Sequence, residues 1–192
     1  TSILINLLQL INKYKNIEIQ FYKKLVLWTI PFIVFFLYII SFASISINSI
    51  IGAFLILIAL KEINALVSRG IHIIIKYETL YLMIMGIIHG MTNLGGALLS
   101  AIVFSKSLSK EQTRATIAIC YLTFAIFQII TLVVFLNNFE VFNIINSIYW
   151  LSGMVVFFIM EKFVYLKIDD KAYSKYFALF IFIIGALLIF KG

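Results

Sequence analysis

The residues with the most chemical potential in this chain crowd into one stretch. Between 79 and 104 it reads TLYLMIMGIIHGMTNLGGALLSAIVF and holds Gly86, His89, Gly90, Thr92, Asn93, Gly95 and Gly96. Glycine lacks Cβ, so it permits tight turns and close approach of another group. A polar pair followed by two glycines, Thr92-Asn93-Leu94-Gly95-Gly96, makes a poor helix centre and predicts a break. A new helix start frees backbone N–H groups, and that end of the helix dipole attracts anions. Gly86-x-x-x-Gly90 fits a different use, the close packing of two helices. His89 is the one Asp, Glu, Lys, Arg or His inside an apolar run. It is a candidate for function on that ground. A neutral imidazole bonded to a backbone carbonyl is the competing reading.

Other reactive groups are sparse. Cys120 is the single cysteine, which excludes an internal disulfide and any multi-cysteine metal site. The two histidines, His72 and His89, lie in different regions. There is no H-E-x-x-H, no pair of carboxylates within an apolar run, and no nucleotide-binding motif. An enzyme is not expected, and neither is a cofactor or a metal.

The elements that must position these residues follow from composition. Of the 192 residues, 64% are hydrophobic and 12% charged. A soluble domain sits nearer half and a quarter. Charged residues cluster, and the gaps between clusters suit a bilayer core, which needs about 20 apolar residues in helical form. Spans are read at 25–42, 47–60, 79–104, 115–136, 142–160 and 174–190. Residues 1–12 look like the end of another. Thr1 falls inside an apolar run, so further spans are expected upstream. The runs are continuous, not the ten-residue alternating segments of a β-barrel. The excess of Lys and Arg, net +7, flanks these spans, so it points to the cytoplasmic side of a membrane and not to nucleic acid.

The chain also resembles itself. The stretch 27–36, LWTIPFIVFF, lies over 149–158, YWLSGMVVFF. The stretch 50–56, IIGAFLI, lies over 183–189, IIGALLI, in the same order. Internal repeats are a common plan for transporters. Residues 1–63 are read as the remainder of a first repeat and 78–192 as the second, within one integral membrane domain, 1–192. The linkers 13–24, 61–78, 106–114 and 161–175 are basic, whereas that around Glu140 is not and 43–48 is uncharged. All the basic linkers can face the cytoplasm only if segment 79–104 is re-entrant, leaving on the side where it began. Matching linkers then fall on opposite sides, so the repeats are inverted. The expected fold is all-α: a polytopic transmembrane helix bundle with two inverted repeats and a glycine-broken segment.

Gly86-Ile87-Ile88-His89-Gly90-Met91-Thr92-Asn93-Leu94-Gly95-Gly96, followed by Ser109-Lys110-Glu111-Gln112-Thr113-Arg114-Ala115-Thr116, resembles the second-half signature of the TauE/SafE sulfite-exporter family. That signature is a glycine-rich broken segment, a short basic linker, and Arg-Ala-Thr at the next helix start. Thr1-Ser2 would match the Thr-Ser of the first half, and 183–189 resembles the family's terminal helix. Where the family often has Gly-Gly-Pro or Gly-Gly-Gly, this chain has Gly95-Gly96-Ala97. The family's first glycine-rich element would lie before Thr1. The resemblance implies an integral carrier of sulfur-containing anions such as sulfite and organosulfonates, in the bacterial inner (plasma) membrane.

The expected function is therefore a secondary carrier or exporter of small anions, with the lipid bilayer and the anion as its partners. A non-transporting membrane subunit or scaffold is the alternative. Gly86, His89, Gly90, Thr92, Asn93, Gly95, Gly96, Arg114 and Thr116 are the candidate binding residues. Arg114 has a plain topological reading beside its role in anion capture. Thr116, Thr123 and Thr131 share a helical stripe that could face a pathway or act as hydrogen-bonding glue between helices.

Overall fold

Every regular element in the described residues is a helix. The computed structural model describes residues 2–11, 13–43, 47–106, 108–139, 143–160 and 170–191. In chain order the helices are α1 (Ser2–Leu10), α2 (Ile19–Phe42), α3 (Ile47–Ile63), α4 (Ala65–Ile75), α5 (Glu78–Thr92), α6 (Gly96–Phe104), α7 (Lys110–Ile130), α8 (Ile144–Met160) and α9 (Asp170–Lys191). A π-helical turn, Thr131–Phe135, extends α7. Two of these helices are long and apolar enough to cross a membrane: Ile19–Phe42, and Lys110–Phe135 with its π turn, each of mean hydropathy 2.4.

Local chemistry fixes several boundaries. Ser109 opens α7 with a capping box: its hydroxyl accepts from Gln112 N–H, and the Gln112 side chain accepts from Ser109 N–H. Asn64 opens α4, its side chain accepting from the N–H groups of Leu66 and Val67. Helix α4 was not expected, because Lys61, Arg69 and Lys76 made 61–78 read as a linker. Asn64 and the spacing of Leu66, Ile73 and Ile74 were the signals that could have revealed it. Helix α2 begins at Ile19, earlier than the apolar run, so Lys23 and Lys24 belong to its second turn. Their long apolar stems can lie along the helix while the charge reaches outward.

Helices α2, α5 and α7 run side by side in one direction. Lys24 meets Glu78, Thr29 Oγ1 donates to Leu82 O at 3.1 Å, and Glu18 N–H donates to Thr116 Oγ1 at 2.9 Å. Further along, Tyr22 Oη and Thr123 Oγ1 share a hydrogen bond of 2.9 Å. Leu25, Ile33, Leu82, Met85, Leu99 and Phe124 form the core between these helices and α6. Helix α1 lies on α7, with Leu10 against Ala118 and Leu122. Helices α3 and α9 pack on each other.

Three basic linkers share one end of the molecule. Asn16 donates to Glu111 Oε2 at 3.1 Å, and Glu78 lies 3.2 Å from Lys24 Nζ and 2.9 Å from Lys106 Nζ. Residue 140 and most of the 161–175 linker lie outside the described residues, as does Thr1. Around the apolar core, buried hydroxyls and exposed apolar side chains both occur. Thr29, Thr116 and Thr131 are fully buried, while Leu27, Phe104 and Phe190 are 64%, 67% and 88% exposed.

Candidate functional site

Segment 78–106 is a helical hairpin with a break at its tip. Helix α5 rises from Glu78, α6 returns, and the two ends meet through the Glu78–Lys106 ion pair. Tyr81 Oη adds a bond of 2.8 Å to Leu98 O across the hairpin. The chain turns at Asn93, whose φ of 59° and ψ of 15° place it in the left-handed region. Asn is the residue other than Gly that adopts this conformation most readily. Gly95 and Gly96 then start α6.

Side chains of the last α5 turn satisfy much of the broken backbone. Thr92 Oγ1 donates to Ile88 O at 2.7 Å and accepts from Leu94 N–H at 3.2 Å. His89 Nδ1 accepts from Gly95 N–H at 3.2 Å. The break thus exposes fewer free donors than the sequence implied. The histidine bond is also of another kind than expected: the imidazole receives a backbone N–H and does not donate to a carbonyl. Accepting at Nδ1 leaves the proton of a neutral ring on Nε2. That atom is buried and meets no partner at full hydrogen-bond geometry among the described residues, with the Gln128 carboxamide close enough to interact with the ring. The ring rests on Phe124, centroids 4.6 Å apart. Gln128 of α7 reaches over the tip and donates to Asn93 Oδ1 at 3.2 Å, beside the imidazole.

The glycines of the segment divide by use. A Cβ on Gly86 would lie 2.6 Å from Thr29 O, and one on Gly90 would lie 2.7 Å from Ile33 O. Both therefore let α5 approach the backbone of α2, and neither borders open space. A Cβ on Gly95 would lie 2.6 Å from His89 Cβ, and one on Gly96 would overlap the Tyr121 hydroxyl. The room these glycines leave at the break is filled by the protein's own side chains.

The structure gathers His89, Thr92, Asn93, Gly95 and Gly96 at the hairpin tip. It sets Gly86 and Gly90 against α2. Thr116 and Arg114 lie near the other end of α7, where Thr116 caps the start of α2. Twelve residues of helix separate Thr116 from Gln128, about 18 Å. Thr116 is thus placed apart from the tip, where the sequence had led us to expect it beside the break. Thr123 and Thr131 bond back to Ile119 O and Phe127 O, and Thr123 also reaches Tyr22. Thr116 and Thr123 of the stripe thus reach residues of α2 or its start, while the Thr131 bond stays within its own helix. Gln128 and Tyr121 were not among the candidates, although a carboxamide inside an apolar run was a visible signal.

Two crevices lie outside the His89–Asn93 tip, the second partly along the hairpin's own α5 and α6. One, of about 660 Å³, is lined by Val26, Ile30, Pro31, Val34, Phe127 and Phe135 among others. The second, of about 350 Å³, is lined by Phe54, Leu57, Ile84, Ile88 and Leu98 among others. Their walls are apolar and suit hydrocarbon better than an anion. At the foot of the hairpin, burial tends to raise the Glu78 carboxyl, but Lys106 and Lys24 outweigh it and hold the group below its usual range. The chain matches no family model, no curated protein and no solved structure.

Proposed function

We propose that this chain acts in a membrane as a secondary carrier of small oxyanions, with sulfite and sulfonates as the first candidates. The observation that carries the reading is the α5–α6 hairpin: its ends meet at Glu78 and Lys106 while its tip holds His89 and Asn93. In hydrocarbon, a broken backbone is tolerated only where it is buried in protein or lines a cavity. A buried break with polar side chains is a plan used for carrier sites. The apolar exterior and the basic linkers gathered at one end support a multi-pass arrangement with that end in the cytoplasm. The resemblance to the TauE/SafE family supplies the anion class and the bacterial plasma membrane.

A second reading is a non-transporting scaffold or subunit. It is favoured by the filling of the Gly95 and Gly96 spaces by His89 and Tyr121, as in a pure packing element. Calorimetric titration of the purified chain in nanodiscs with sulfite, sulfate and chloride separates the two. The carrier reading expects saturable oxyanion binding to the wild-type chain. Absence of binding would favour the scaffold.

A further inference from the structure

We infer that His89 and Gln128 form a donor pair for one small oxyanion at the hairpin tip, and that the Gln128 carboxamide admits it. The inference rests on the carrier reading and names the chemistry of its site. Exposure falls in steps along a polar path: Asn93 is exposed, Gln128 is half-buried, and His89 is only 2% exposed. Asn93 Oδ1 holds one N–H of Gln128, and Gly95 N–H holds His89 Nδ1. The imidazole therefore presents Nε2–H, a buried donor that no acceptor meets at full hydrogen-bond geometry among the described residues, with the Gln128 carboxamide the polar group that interacts with the ring. Such a donor is destabilising until an acceptor reaches it.

Gln128 lies between this donor and the exposed tip. Its terminal torsion is broad, so the carboxamide turns easily once it leaves Asn93. Turned inward, it aims N–H groups to the same side of the ring as Nε2–H. Phe124 packs against the imidazole, its ring tilted by 46°. Two donors on different side chains match a ligand with at least two acceptor oxygens, such as sulfite. A cation finds no carboxylate here, and chloride offers one centre to two separated donors.

The test uses the full chain in nanodiscs with sulfite, sulfate and chloride as probes. Histidine ¹⁵N spectra, assigned with a His72→Gln variant, should show His89 protonated at Nε2 and deprotonated at Nδ1. Sulfite should shift the Nε2–H resonance. Gln128→Leu and His89→Phe should each weaken sulfite binding at least tenfold, and Gln128→Glu should abolish it by placing a carboxylate in the path. If the wild type binds sulfite but these variants bind it equally, the pair is not the site and the carrier reading stands. If the wild type binds none of the probes, both fall. A proton on Nδ1 of His89 in the wild type, or chloride binding as tight as sulfite, would overturn the donor pair even if the variants fold poorly.

Discussion

Gly52 and Gly185 occupy the same contact from its two sides. A Cβ on Gly52 would lie 2.6 Å from Gly185 O and 2.7 Å from Ile189 Cγ1. A Cβ on Gly185 would lie 2.8 Å from Gly52 O and 3.0 Å from Ile56 Cγ1. Exchange 52 with 185 and 56 with 189, and this set of contacts returns to itself. The alignment of 50–56 on 183–189 pairs these same residues. Segments related by a repeat would touch through equivalent positions in this way if they met on a two-fold axis.

The first prediction concerns that contact. Gly52→Leu and Gly185→Leu should each lower stability by about 1–3 kcal/mol through overpacking. The double variant should depart clearly from the sum of the two, because both act on one contact. Thermal unfolding in detergent gives the comparison. Additive losses would mean that the two glycines do not share a contact.

The second concerns topology. If the chain crosses a membrane as proposed, cysteines at Lys15 and Lys110 should react with an impermeant thiol reagent from one side, and those at Asn48 and Asn138 from the other. Wild-type Cys120 is fully buried, so it needs no replacement. Labelling of Lys110→Cys and Asn138→Cys from the same side would remove α7 as a crossing.

The third is a pH dependence. Glu78 has a folded pKa below its usual 4.5 because Lys106 and Lys24 favour the carboxylate. The stabilisation is complete above about pH 4.5 and is lost as pH falls through the lower folded value. The pairs are partly exposed, so their worth is at most about 1 kcal/mol. Glu78→Gln should therefore lower the melting temperature slightly at pH 7 and remove this component of acid destabilisation. An unchanged acid limb in the variant would show that other carboxylates set it.

The fourth separates the two ends of α7. Thr116→Val removes the acceptor of Glu18 N–H and should cost about 1–3 kcal/mol of stability. Sulfite affinity should stay within twofold of wild type, as measured by calorimetry. A selective loss of affinity at normal stability would return Thr116 to the binding site.

Helix positions were legible because the apolar runs are long and uninterrupted, which suits helices better than short alternating strands. The break was legible too, since Asn93 and two glycines together disfavour a helix centre. Helix α4 and the early start of α2 are hidden in the sequence because their charges resemble a linker's, and a helix carries charge on one face or on long stems without difficulty.

Partnership was decided by tertiary structure alone. Thr116 and Gln128 are both polar residues on α7, and nothing local assigns one to Glu18 and the other to Asn93. The direction of α7 beside α2 and the hairpin makes that assignment. The same holds for the glycines: Gly86 and Gly90 face α2, while Gly95 and Gly96 face His89 and Tyr121. Sequence determined where the chain is helical and where it must bend, because those are local properties of backbone and solvent. Which side chains meet at the bend depends on how whole helix surfaces fit together, and spacing along the chain does not encode that fit.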